Sequence, residues 1–152
     1  GQLQRAASTG QCWPPSQRTS EPVTLTEAGL AKLSTGNLHL LCRAFRVPTV
    51  IVTLGSKGCF LSETDGFTVL PACKGIKVVD TTGAGDAFRA GMMRGMELAL
   101  PWSIAGRMGA LSATYCLEQE GTQNHRFTRA EFISRYRQHF DDKGQLDILL
   151  GE

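Results

Sequence analysis

Ile76-Lys77-Val78-Val79-Asp80-Thr81-Thr82-Gly83-Ala84-Gly85-Asp86-Ala87-Phe88 passes from a β-branched approach, through two threonines and Gly-Ala-Gly, to an aspartate that opens a small-residue helix. Small residues at such a junction let a turn bring successive backbone N–H groups to a helix start. Free N–H groups there form an anion site, because the first turn of a helix leaves its amides without intrahelical acceptors. An aspartate in that place would repel a bound anion. It makes chemical sense when the anion is a phosphoryl group under attack and the carboxylate takes the proton of the attacking hydroxyl.

Outward from this run, the bulk numbers restrict the alternatives. The 152 residues suit one domain with a core, and 41% hydrophobic with 20% charged residues is a globular balance. A net charge of +2, with no long basic run and no interleaved aromatics, predicts no nucleic-acid partner. No apolar stretch reaches membrane-spanning length and the N-terminus lacks a signal-peptide core, so a soluble, cytoplasmic protein is expected. Five scattered cysteines without a C-x-x-C pair argue against a metal knuckle or a disulfide framework. Cys59 and Cys116, in apolar segments, read as small buried hydrophobes.

Upstream, Thr49-Val50-Ile51-Val52-Thr53-Leu54 is a β-branched run without polar alternation. It predicts a strand buried on both faces, as in a parallel sheet. Gly55-Ser56-Lys57-Gly58 forms a glycine turn at its carboxyl end, where ligands of open α/β sheets bind. Cys59–Ser62 and Phe67–Leu70, flanking Glu63-Thr64-Asp65-Gly66, read as a hairpin. Residues 1–25 are a polar, irregular lead-in; Thr26–Leu33 and Leu38–Phe45 have helical spacing and Pro48 ends that stretch.

Downstream, the helix after Asp86 carries Gly91 and Gly95 four apart, which predicts close packing against the sheet, with its methionines as gap-filling core. Pro101 opens a second helix, from about Trp102 to Gln119, that reads as largely buried. Thr128-Arg129-Ala130-Glu131 is a capping box opening a last amphipathic helix, with Arg129, Arg135 and Arg137 on its solvated side. The apolar end Leu146–Leu150 is suited to docking.

Asp80-Thr81-Thr82-Gly83-Ala84-Gly85-Asp86-Ala87-Phe88, completed by Gly91, resembles the C-terminal signature of the PfkB (ribokinase-like) sugar and nucleoside kinases. Thr53–Gly58 resembles the nucleotide-binding turn of the same family. The resemblance runs from about Thr49 to Phe140 and implies the C-terminal part of a three-layer α/β/α domain over 26–152, with a partial, mostly parallel sheet. It implies Asp86 as the base, and Gly83, Ala84 and Gly85 as the amides holding the transferring phosphoryl. Thr53, Gly55, Ser56 and Gly58 would line ATP. Ala110 stands where the family often has a polar side chain near the adenine. Asp80 and Thr82 match positions that lend oxygens to an activating monovalent cation, K+, in some members. Mg2+ would accompany ATP.

The family's Asn-x-x-Glu motif is absent upstream of Thr53, since Asn37 is followed three residues later by Leu40. A truncated kinase, with weak or no activity alone, is the expectation; a non-catalytic nucleotide-binding or structural remnant is the alternative. Glu120–His125 is similar to the nucleoside-kinase branch, adenosine kinase included. Two other phosphate motifs do not fit. A Walker loop needs a longer glycine spacing before its lysine, and a dinucleotide fingerprint needs a third glycine and a downstream acid.

Overall fold

The turn at Gly55–Gly58 reverses the chain and pairs the strands on either side of it. In the computed structural model, which describes residues 47–63 and 66–151, β1 (Thr49–Thr53), β2 (Cys59–Glu63) and β3 (Gly66–Leu70) form a sheet of order β1-β2-β3. Both pairings are antiparallel, with Ile51 opposite Leu61 and Phe60 opposite Val69. The hairpin is therefore where the sequence put it, with Glu63 opposite Gly66. The parallel component expected of the sheet is not seen among the described residues. β1 is half-buried along Thr49–Val52 and exposed at Thr53, not covered on both faces. The lead-in and the two upstream helices lie outside the described residues.

Three helices follow: α1 (Ala84–Glu97), α2 (Trp102–Leu117) and α3 (Arg129–His139). α1 and α2 approach so closely that Gly91, Gly95 and Gly109 leave no room for a side chain. A Cβ on Gly91 would lie 2.7 Å from the Met108 carbonyl oxygen, and one on Gly109 would lie 2.7 Å from that of Phe88. A Cβ on Gly95 would meet Ala105 at 2.7 Å. The glycine spacing thus marks close packing, but against the neighbouring helix. Gly106 of α2 receives Leu70 of β3, which joins helices to sheet.

Two apolar clusters result. Ile104, Met108, Leu111, Phe132, Ile133, Tyr136, Leu146 and Leu149 fill the larger, between α2, α3 and the tail. Cys59, Leu61, Leu70 and Phe88 form the smaller, with Ile51 and Met92 against it. Of the methionines in α1, Met92 packs against the smaller cluster whereas Met93 and Met96 are exposed, so only part of that run fills gaps. The apolar tail docks as its composition suggests: Gln145–Leu150 is a 3-10 turn that buries Leu146 and Leu149.

The capping box of α3 is complete, with Thr128 and Glu131 each bonding the other's backbone N–H. Its arginines are not simply solvated. Arg135 forks onto Glu118 at 2.7 and 2.6 Å and lies over the Tyr115 ring at 4.6 Å. Arg137 binds Asp142 and Asp147 of the tail, and Arg129 donates to the Leu149 carbonyl. The positive face is a set of clamps that tie α3 to α2 and to the tail.

Candidate phosphoryl-transfer site

Asp80 organises the signature turn. Its Oδ1 accepts from the Thr82 N–H at 2.8 Å, closing a local Asx turn, and its Oδ2 accepts from the Gly121 N–H at 3.0 Å. These amides, Thr82 foremost, hold the Asp80 carboxyl below the usual carboxylate range. The Cys116 thiol donates to the carbonyls of Thr82 and Thr122, at 3.4 and 3.7 Å. Burial pushes that thiol up, and the nearby charges of Asp80 and Asp86 add to the effect. Cys116 is more than a small buried hydrophobe: it is a peg beneath the turn.

Gly83 caps α1 with φ of 80°, a left-handed conformation that costs other residues. A Cβ there would stand 2.8 Å from the Thr122 side chain, so the 118–124 segment closes over the turn. The Ala84 N–H reaches back to the Thr81 carbonyl at 3.4 Å, and the first full helical bond runs from the Ala87 N–H to the Gly83 carbonyl. Gly85 faces open space, with nothing within 4 Å of where a Cβ would be. The helix N-terminus is therefore built, left-handed at its cap and open above Gly85. That is the geometry for an anion to approach backbone amides.

Asp86 occupies the third position of α1, with its side chain 81% exposed, and it pairs with Arg89 at 2.9 Å. The carboxylate stands in solvent at the mouth of the amide turn. Exposed pairs of this kind add little stability.

The other turn is built independently. Gly55–Lys57 is a 3-10 turn in which the Leu54 N–H donates to the Gly58 carbonyl at 2.8 Å and the Gly58 N–H to that of Gly55 at 3.0 Å. Gly58, at φ of 92°, has no room for a side chain beside the Leu70–Ala72 backbone. Thr53, Gly55 and Ser56 are all exposed. One small core holds both turns, because Cys59 follows Gly58, Phe88 follows Asp86 by two, and both sit in the smaller cluster. Ala110 packs against both clusters, and its carbonyl accepts from the Thr114 hydroxyl at 2.9 Å.

A cavity of about 400 Å³ opens elsewhere, between α1, α2, α3 and the 125–127 segment, lined by Gly91, Ser112, His125 and Phe132 among others. It contains none of the residues from Asp80 to Asp86. An exposed turn that presents amides is a shallow surface, so the chemistry and this hollow need not coincide.

Sequence reading missed four participants: Gly121, Thr122, Cys116 and Arg89. Gly121 and Thr122 lie in the stretch similar to nucleoside kinases, but their contacts with Asp80 and Gly83 are long-range and have no sign in the local sequence. Arg89 was detectable, since an Asp–Arg pair three apart on a helix is a recognised neighbour pairing.

The pattern of pfkB family carbohydrate kinases matches residues 33–129, well over half of the chain. The chain belongs to the pfkB family. It is 35% identical over 94 residues to a nucleoside kinase of Methanocaldococcus jannaschii, covering 62% of this chain and 31% of that one. An uncharacterised sugar kinase of Archaeoglobus fulgidus is 41% identical over 83 residues, covering 54% and 32%. Among solved structures, Burkholderia thailandensis nucleoside kinase in complex with inosine superposes with a TM-score of 0.61 at 34% identity, covering 66% of this chain and 37% of that one. The pfkB-family match thus spans about a third of the length of these relatives, and the fold is the corresponding part of a ribokinase-like α/β domain.

Proposed function

We propose that this pfkB-family segment supplies the nucleotide-binding and proton-accepting part of a site for ATP-dependent phosphoryl transfer to a hydroxyl. The acceptor pocket would come from the portion of such a domain outside the matched region. The observation that supports this most is the pairing of an open helix N-terminus at Gly83–Gly85 with an exposed carboxylate, Asp86, within the first turn. Phosphoryl transfer needs mainly positioning and charge stabilisation, and these two features provide both.

In this reading a carboxylate oxygen of Asp86 takes the proton as the acceptor oxygen bonds to the γ-phosphorus and the bond to the β-bridging oxygen breaks. The amides of Gly83, Ala84 and Gly85 hold the equatorial oxygens while charge develops. Thr53, Gly55, Ser56 and Gly58 lie along the nucleotide, and Ala110 leaves adenine to shape and backbone. The open space at Gly85 and Gly55 fits phosphate oxygens close to backbone. Mg2+ bound to the β- and γ-oxygens would neutralise their charge. Asp80 and Thr82 match positions that lend oxygens to an activating K+ in some family members and would do so here in this reading, Asp80 in addition to its clip with Gly121.

A nucleoside acceptor is favoured over a sugar. Glu120–His125, the stretch similar to nucleoside kinases, is the one that closes over Gly83. The structure of a B. thailandensis nucleoside kinase with ADP-inosine also superposes, with a TM-score of 0.61 at 33% identity, over 68% of this chain and 35% of that one. The second reading is a nucleotide-binding module without transfer activity.

Asp86→Asn separates the two. Built into a chain that completes the domain, it is expected to lower the transfer rate by roughly 10²–10⁴-fold while ATP affinity stays within a few-fold. Normal turnover in that variant would remove Asp86 as the base. ATP binding with no transfer by the parent protein would favour the module.

A further inference from the structure

The signature turn is short of the charge that a polyanion requires. Asp80–Asp86 contains two carboxylates and no cation. Asp80 is held ionised by the amides of Thr82 and Gly121, and Asp86 stands exposed at the mouth. The free amides of a helix N-terminus offset only about half an elementary charge. A phosphoryl group entering beside Asp86 therefore meets net repulsion unless a cation stands at the same mouth. Lys57 belongs to the other turn.

Arg89 has the position and the spare donors to be that cation. It lies one helical turn after Asp86, on the same face of α1. Its Nη1 donates to Asp86 Oδ1 at 2.9 Å, and no other hydrogen bond of the guanidinium is present among the described residues. A guanidinium offers five N–H donors in a planar fork, so one bond to Asp86 leaves most of the fork for a second acceptor. The two side chains are 70% and 81% exposed, so their pairing is weak and re-forms around an incoming oxyanion at little cost. Guanidinium bonds to phosphate oxygens are charge-assisted and stronger than those of neutral amides.

We propose that Arg89 is a further catalytic residue of this site, bridging the Asp86 carboxylate and an oxygen of the γ-phosphoryl group. This deepens the phosphoryl-transfer reading and rests on it. Arg89 keeps its own protons throughout; Asp86 takes the proton of the acceptor hydroxyl. The guanidinium offsets the charge on the phosphoryl oxygens, and it also screens them from the base that must stand beside them.

The test is calorimetric titration of the chain with ATP and with ADP, each with Mg2+, in four forms: parent, Arg89→Ala, Asp86→Asn and the two substitutions together. Circular dichroism with a thermal melt would establish that each variant folds. Arg89→Ala is expected to weaken ATP binding by roughly 10–100-fold, the worth of one charge-assisted hydrogen bond, while ADP binding is unchanged. The same loss is expected in the Asp86→Asn background, because the contact is to the phosphate. A loss that disappears in that background would show that Arg89 only masks the Asp86 charge, and would overturn the proposal. Equal losses for ATP and ADP, or none for either, would also overturn it while leaving nucleotide binding by the parent intact. A parent chain that binds neither nucleotide at millimolar levels would instead overturn the nucleotide reading, and the Arg89 contact with it.

Discussion

Gly83 and Gly85 stand two residues apart in one turn and are glycines for different reasons. Gly83 needs its left-handed φ of 80°, and any side chain would meet Thr122. Gly85 is in the helix with free space around it. Gly83→Ala is therefore expected to lower stability by about 1–3 kcal/mol, the range for a non-glycine residue forced into this region. Gly85→Ala is expected to raise it by roughly 0.5–1 kcal/mol through helix propensity, while weakening phosphate binding by crowding the approach. Urea unfolding of the two variants checks the pair; equal effects would contradict the geometry. The sequence showed that both glycines belong to an anion turn. It could not distinguish them, because Thr122 is distant in the chain and only folding brings it over Gly83.

The seam between α1 and α2 is a tight contact between elements. At Gly91 and Gly109 an added methyl would press on backbone carbonyls, which cannot swing aside as a flexible side chain can. Gly91→Ala and Gly109→Ala are each expected to cost about 1–3 kcal/mol, the usual penalty for overpacking, and differential scanning calorimetry would show it as a lowered Tm. The four-residue spacing of Gly91 and Gly95 was legible as close packing. The partner was not, since spacing specifies a face and not what meets it. The basic residues of α3 show the same limit: an amphipathic pattern marks Arg135 and Arg137 as outward, but Glu118 and Asp142 come to meet them from other elements.

The tail clamp has a pH signature. Asp142 is buried, accepts from Arg137 Nε and Nη2 and from the Leu146 N–H, and its pKa is drawn down to about 2, chiefly by Arg137. A depressed folded-state pKa contributes stability that is fully present above the unfolded value near 3.9 and is lost as pH falls toward the folded value. The expected contribution is about 2 kcal/mol, disappearing between roughly pH 4 and pH 2. Asp142→Asn should be less stable at neutral pH, with its stability curve flatter across that window. A parallel acid profile in the two proteins would contradict the assignment.

At the scale of the molecule, the α/β class, the hairpin and the last three helices were readable because each has its own local pattern: β-branched runs, a glycine turn, a capping box. The direction of the sheet was not readable. An uninterrupted apolar strand such as Val50–Val52 implies cover on both faces, but among the described residues β1 has one antiparallel neighbour and half-burial. The burial that its composition anticipates is that of a larger sheet than the three described strands form. No helix of the described residues is long and apolar enough to cross a membrane. The two turns, by contrast, are already formed and share one small core.

Whether those two turns hold a nucleotide is the central question, and a titration of the isotope-labelled chain with ATP and Mg2+, followed through its backbone amide resonances, answers it most directly. The expected result is saturable shifts at Gly55–Gly58 and at Gly83–Gly85, attenuated in Gly85→Ala. No shift at either turn at millimolar nucleotide, or shifts confined to residues lining the cavity near His125, would contradict the account.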